Sequence, residues 1–282
     1  MKRITKLILV LLACYSFLDG TAQKYIDTTA IQTDGYDIPI RIKLPKKTTG
    51  KNPVYFFVHG GGWNGGDAKN VPPARLHNDV NYLADQLEVI YVGLAYRCKG
   101  NYATFSDAIE DLEASVQWFF DNADTYNADI TRIGFGGASA GSTLAAIMAQ
   151  KYENCKLLVG AEGMYNLVEH SEERSMFPNQ KARKAFGLVT KEESKKASAY
   201  YNLRVKPPIT LLLHGDADVL CHYTQSIKFA EKIKFQGGEA KVVLHKEINH
   251  TTLNPSIPDV FKESILEIAV LFIDGFKLMK QR

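Results

Sequence analysis

Gly137-Ala138-Ser139-Ala140-Gly141 follows the short strand-like run Arg132–Phe135 and opens a helix-forming stretch that continues from Ser142. A serine hydroxyl is a poor nucleophile until a base takes its proton and positive dipoles await the oxyanion. A serine on a sharp strand-to-helix turn is therefore a chemically sensible arrangement. Gly137 and Gly141 lack a β-carbon, which permits the strained turn and lets the helix pack close behind it. Alone, G-x-S-x-G is a modest signal, because any serine-glycine loop can match it. It is answered upstream by His59-Gly60-Gly61-Gly62-Trp63, directly after the apolar run Val54-Tyr55-Phe56-Phe57-Val58. Glycines leaving a strand at that point can aim backbone N–H groups at a developing negative charge. The pair reads as a candidate nucleophile, Ser139, and a candidate oxyanion hole made by the N–H groups of Gly61, Gly62 and Ala140.

Residues 1–22 have the pattern of a cleaved secretory signal. Lys2, Arg3 and Lys6 precede the apolar run Leu7–Leu18, and Thr21-Ala22 supplies small residues before Gln23. The mature protein is then expected to begin near Gln23, be exported to the periplasm or beyond, and consist of one domain over 23–282. A rival processing route exists in Leu11-Leu12-Ala13-Cys14, where Cys14 would carry a lipid. No later stretch reaches the roughly twenty apolar residues of a membrane span. Loss of residues 1–22 removes three basic side chains and one acidic one, so most of the formal net charge of +3 belongs to the signal. No basic face with interleaved aromatics remains to suggest nucleic acid. Cys98, Cys155 and Cys221 cannot all pair with one another and lack the density of a disulfide scaffold, so the core must hold the fold alone.

Ile38, Ile40, Ile42 and Leu44 alternate with polar or small residues, the period of a half-buried strand. Val54–Val58 and 88–94 are continuous apolar runs, as in strands covered on both faces. The contrast predicts an edge hairpin leading into a parallel sheet. Leu76, Val80, Leu83 and Leu87 recur at helical spacing, as do Leu112, Val116, Phe119 and Phe120. Further strands are expected over 132–135, 156–160, 209–214 and 240–245, and helices over 142–150, 223–235 and 259–280. Such alternation predicts a mostly parallel sheet with helices on both faces. The segment from Glu169 to Val205, rich in Lys, Glu, Arg and Ser, breaks the rhythm and is expected to form a small helical excursion over the active site.

The strand 209–214 runs into His214-Gly215-Asp216-Ala217-Asp218, which offers two aspartates as acid partners for a histidine. Asp216 suits the tight turn itself, where a side-chain oxygen can bond nearby backbone, whereas Asp218 has room to turn back towards the sheet. For a base, His250 lies in Asn249-His250-Thr251-Thr252, between the last strand and the last helix. His245 would sit at the end of that strand as a structural or surface group. His59 and His214 lie in His-Gly turns, where imidazoles tie loops together. His77, His170 and His222 read as surface residues.

His-Gly-Gly-Gly-Trp, Gly-x-Ser-Ala-Gly, His-Gly-x-x-Asp and a late histidine together resemble the α/β-hydrolase superfamily, in its bacterial esterase branch of acetyl-esterase, xylan-esterase, feruloyl-esterase and kynurenine-formamidase-like proteins. The resemblance spans nearly all of the mature chain. It implies an α/β-hydrolase sheet of about eight strands, with the excursion before the acid strand. It also implies a Ser139–His250–Asp218 triad, no cofactor and no metal. The expected substrate is a short acetyl or feruloyl ester, on a small molecule or a polysaccharide. Ala161-Glu162-Gly163 departs from the pattern, since relatives often carry small or hydroxyl residues there, and this bears on the polarity of the acyl pocket. Trp63 reads as packing under the glycine loop, with sugar stacking as the alternative.

Readings from other classes fare worse. Gly134-Phe135-Gly136-Gly137-Ala138-Ser139 fails as a dinucleotide fingerprint at its third glycine. Zinc held by His59, His214 and His250 lacks ligand spacing. An amidase or small-peptide hydrolase, or a non-catalytic binding protein on the same scaffold, remain the alternatives.

Overall fold

The computed structural model describes residues 25–46, 48–66, 84–98, 103–169, 186–250 and 252–278. The signal segment with Cys14, most of the helix expected around Leu76–Leu87, His77, His170 and positions 170–185 of the excursion lie outside them.

The strands are β1 (Tyr25–Thr33), β2 (Tyr36–Lys43), β3 (Asn52–Val58), β4 (Ile90–Leu94), β5 (Ala128–Ala138), β6 (Cys155–Ala161), β7 (Ile209–Gly215) and β8 (Ala240–His245). They form one sheet in the order β1-β2-β4-β3-β5-β6-β7-β8. β1 and β2 make the antiparallel edge hairpin, β2 runs antiparallel to β4, and every pairing from β4 to β8 is parallel. The helices include α1 (Phe105–Asp121), α2 (Ala140–Lys151), α3 (Lys191–Lys196), α4 (Thr224–Phe235) and α5 (Pro258–Gly275). None in the described residues is long and apolar enough to cross a membrane.

The apolar run of β3 shows why both faces must be covered. Val54, Phe56 and Val58 join the core formed with Leu112, Val116 and Phe119 of α1 and Leu144 and Met148 of α2. Tyr55 and Phe57 point the opposite way, into a second core with Leu157, Val159, Leu211 and Phe272 of α5. A two-residue side-chain period with nothing polar on either face needs helices above and below.

Boundaries moved where backbone geometry overrode hydrophobicity. The strand expected from Glu88 starts at Ile90, because Glu88 has a φ of 52° and turns the chain. β5 begins at Ala128, earlier than expected, since its first residues pair with Asn52 and Pro53 of β3. α5 stops at Gly275 rather than Lys280, and Lys277 adopts a φ of 52° just beyond it. In the described part of the excursion, α3 is a short helix opened by a capping box of Thr190 and Glu193. One tie had no sequence signal: Arg97, past the end of β4, donates to Asp111 of α1 from its backbone N (2.8 Å) and from Nε and Nη2 (each 2.9 Å).

Candidate active site

The candidate residues gather at the carboxyl ends of the parallel strands, where loops leave the sheet. Ser139 sits between β5 and α2 with φ 54° and ψ −124°, a left-handed conformation costly for a residue with a side chain. Its surroundings enforce the turn. A Cβ on Gly137 would lie 2.4 Å from the carbonyl of Gly141, and one on Gly141 would lie 2.2 Å from Val58 O and 2.3 Å from His59 O. Backbone therefore meets backbone at this corner, and only glycine fits. The Ser139 N–H donates to Ala161 O at 2.8 Å, tying the turn to the end of β6.

The glycine loop lies against the same corner, since a Cβ on Gly60 would be 2.8 Å from Ala138 O and 3.4 Å from Ser139 Cβ. Gly61, Gly62 and Trp63 take φ values of 118°, 60° and 59°, so the chain reverses in successive left-handed steps beside the serine. Ala140 is the first residue of α2, where a helix N–H has no partner within the helix and the helix dipole is positive. Trp63 is buried and stacks on Phe186 with ring centroids 5.5 Å apart and planes 10° from parallel. That contact places Trp63 in the core and anchors the end of the excursion beside the glycine loop. The His59 ring stacks on Tyr96 with centroids 4.4 Å apart.

On the other side, the acid loop after β7 and the histidine loop after β8 are laced together. Asp216 Oδ1 accepts from Glu247 N at 2.6 Å, and Ala217 N donates to Ile248 O at 3.0 Å. Asn249 Oδ1 accepts from both Val219 N (3.1 Å) and His250 N (2.8 Å). These ties carry Asp218 to His250, whose Nδ1 donates to Asp218 Oδ2 at 2.7 Å. Asp216 thus belongs to the turn, and Asp218 is the aspartate brought to the histidine.

Asp218 is buried but fully provided with donors. Oδ1 accepts from the N–H groups of Leu220 (2.7 Å) and Cys221 (2.8 Å), and Oδ2 also lies 3.2 Å from His214 Nε2. His214 is itself fully buried, held by Cys221 O at 2.8 Å and Ser226 Oγ at 2.7 Å. Burial pushes the Asp218 carboxyl up, but hydrogen bonds from His214 and His250 and the charge of His250 hold it far below the ordinary carboxylate range. For His250, burial opposes the charged ring. The hydrogen bond to Asp218 and the negative charges of Glu162 and Asp218 outweigh that penalty, and its pKa is raised. His245 is buried on Ser264, a structural position.

Among the described residues no group of three His, Cys, Asp or Glu side chains is arranged to hold a metal ion. Cys98, Cys155 and Cys221 are buried, and burial pushes the Cys98 and Cys155 thiols up to about 11 and about 12, which makes them poor nucleophiles. Two groups near the site escaped the sequence reading: His214 as a donor to the aspartate, and Glu162 as a charge acting on the histidine. The His-Gly-x-x-Asp spacing was the available signal for the first and the unusual Glu162 for the second.

A mostly parallel sheet of this order, with its serine corner, glycine loop and late Asp-His pair, defines an α/β-hydrolase. The chain belongs to the BD-FAE family, whose pattern matches residues 40–233. It is similar to a carboxylesterase NlhH of Mycobacterium tuberculosis, 34% identical over 44% of this chain and 38% of the other. It is also similar to a bovine (Bos taurus) arylacetamide deacetylase, 36% identical over 41% of this chain and 29% of the other. The matched region is well under half the length of these curated relatives. Among solved structures, a thermophilic esterase of Thermogutta terrifontis, Est2, superposes with a TM-score of 0.74 at 20% identity, covering 91% of this chain and 94% of the other. That likeness concerns the fold.

Proposed function

We propose that the protein is a serine hydrolase of short-chain carboxylic esters, working through an acyl-enzyme intermediate. The observation that carries this reading is the 2.7 Å hydrogen bond from His250 Nδ1 to buried Asp218. A proton committed to Nδ1 leaves the Nε2 lone pair as the basic site of the neutral ring. In the proposed reaction Ser139 Oγ attacks the ester carbonyl carbon as His250 Nε2 takes its proton. The N–H groups of Gly61, Gly62 and Ala140 receive the oxyanion. His250 then returns the proton to the departing alcohol oxygen, and water repeats the sequence to release the acid. Asp218 holds the ring in this tautomer and stabilises its charged form.

Acetyl and feruloyl esters, including those on polysaccharides, are the proposed substrates. A long acyl chain needs a deep apolar wall, each unburied methylene forfeiting about 0.8 kcal/mol. Of the excursion, the described helix Lys191–Lys196 is charged, and the apolar Phe186 and Leu188 are already buried in the core. Similarity to arylacetamide deacetylases favours a second reading, cleavage of an acetamide by the same acyl transfer. Export after cleavage near Gln23 belongs to the same proposal; N-terminal sequencing of the secreted protein reads it directly, and a lipid-modified Cys14 would replace it with membrane anchoring.

The test is a chromogenic ester series from acetyl to octanoyl, run beside acetylated xylan, methyl ferulate and an acetanilide, with Ser139→Ala as control. Preference for acetyl and loss of turnover and fluorophosphonate labelling in Ser139→Ala are expected. Equal specificity constants for acetyl and octanoyl esters would remove the short-chain claim. Labelling that persists in the variant would move the nucleophile elsewhere.

A further inference from the structure

Glu162 follows β6 immediately, at the same end of the sheet as Ser139, Asp218 and His250. Its side chain is buried, with the residue 4% exposed, and its backbone takes a φ of 54°. A carboxylate in a left-handed, desolvated position is doubly costly, so something must hold it there. Two backbone bonds do. Its N–H donates to Leu213 O of β7 at 2.9 Å, and Oε1 accepts from the N–H of Thr252, two residues beyond His250 and 90 positions from Glu162. Thr252 is clamped from its other side, its carbonyl accepting from Ser264 Oγ of α5 at 3.2 Å. The carboxylate thus grips the histidine loop from the β6 side, while Asp218 grips the ring from the β7 side.

We propose that Glu162 is a positioning residue for His250: it fixes Thr252, two positions beyond the histidine, and supplies a second negative charge to the imidazole when the ring takes up a proton. The proposal rests on His250 acting as the base, as above. The charges acting on His250 are those of Asp218 and Glu162, and those acting on Glu162 are His250 and Asp218. Burial and the neighbouring Asp218 charge push the Glu162 carboxyl above its ordinary value, against the charge of His250 and the N–H bond from Thr252. Each proton that reaches the ring therefore favours an ionised Glu162, and an ionised Glu162 favours the protonated ring. That coupling acts at the step where Ser139 gives up its proton, and it lowers the energy of the ion pair formed there.

Glu162→Gln separates the two roles, because an amide oxygen can still accept from Thr252 but carries no charge. Removing a negative charge lowers the histidine pKa, so the acid limb of kcat/KM should move to lower pH by at least about half a unit. kcat should fall about threefold to tenfold with KM little changed. Glu162→Asp, which retains the charge, should bring the limb back towards the wild-type position. Proton NMR of the His250 Nδ1–H in the substrate-free protein should report the same displacement. A limb and an NMR titration both unmoved in Glu162→Gln, with only the melting temperature lowered, would overturn the proposal. If Glu162→Gln does not fold, the 13C-carboxyl resonance of Glu162 in the wild type decides: it must move as His250 titrates, and a flat resonance overturns the proposal. The NMR readings need no turnover, so a protein inactive on every ester would count against the esterase reading while leaving this coupling measurable.

Discussion

Ser139 occupies a backbone region that costs a residue with a side chain about 1–3 kcal/mol, and the strain is maintained by Gly137 and Gly141 pressing backbone against backbone. Glycine at position 139 would relax it. Ser139→Gly is therefore expected to be inactive yet to unfold at a denaturant concentration no lower than the wild type, while Ser139→Ala, which keeps the Cβ, gains nothing. A clear loss of stability in Ser139→Gly alone would show that the turn is not strained. The two aspartates of the acid loop separate in the same way. Asp218 takes the histidine Nδ1–H and Asp216 takes a turn N–H. Asp218→Asn should lower kcat by roughly ten-thousand-fold at neutral pH, because an amide in its place favours the wrong imidazole tautomer. Asp216→Asn should chiefly lower the melting temperature. A folded, inactive Asp216→Asn beside an active Asp218→Asn would reverse the roles.

At the scale of elements, the spacing of α2 against β3 is set by Gly141. Alanine there would gain about 1 kcal/mol of helix propensity. Its Cβ would meet Val58 O at 2.2 Å, however, and two backbone segments have no rotamer with which to yield. Overpacking of this kind costs about 1–3 kcal/mol or more, so Gly141→Ala should be destabilised overall. Because the helix carries Ala140, its displacement should depress kcat more than KM. Equilibrium denaturation and steady-state kinetics on the same preparation check both, and a variant as stable and active as the wild type would refute the argument. The acid and histidine loops depend on a different device, Asn249, which accepts from Val219 N and His250 N at once. A single amide oxygen thereby couples the ends of two neighbouring parallel strands.

Across the described molecule, the sheet separates the two larger apolar cores, and the polar site occupies one end of it. Desolvation and the surrounding carboxylates oppose one another at His250, with a consequence for pH dependence. The proposed base must be neutral to accept the serine proton, and its pKa is raised. The acid limb of kcat/KM should therefore lie above the roughly 6.5 of an unperturbed imidazole, with activity lost as pH falls through it. A limb at or below that value would show that burial, which opposes the charged ring, outweighs the carboxylates.

The glycine motifs, the edge hairpin and the alternation of strands with helices were legible in the sequence because they are local. Period, punctuation and the glycine needed at a left-handed turn depend on neighbours a few positions away. Loop position, together with family resemblance, then favoured Asp218 over Asp216 and His250 over the other histidines. Tertiary structure alone decided the distances. Asp218 and His250 meet across 32 positions, and Glu162 reaches Thr252 across 90, because parallel pairing of β6, β7 and β8 delivers three loops to one end of the sheet. A lone glutamate after a strand carries no periodicity that announces such a contact. Likewise, the burial of Arg97 on Asp111 and of Trp63 on Phe186 follows from elements distant in sequence packing together, which local propensity does not encode.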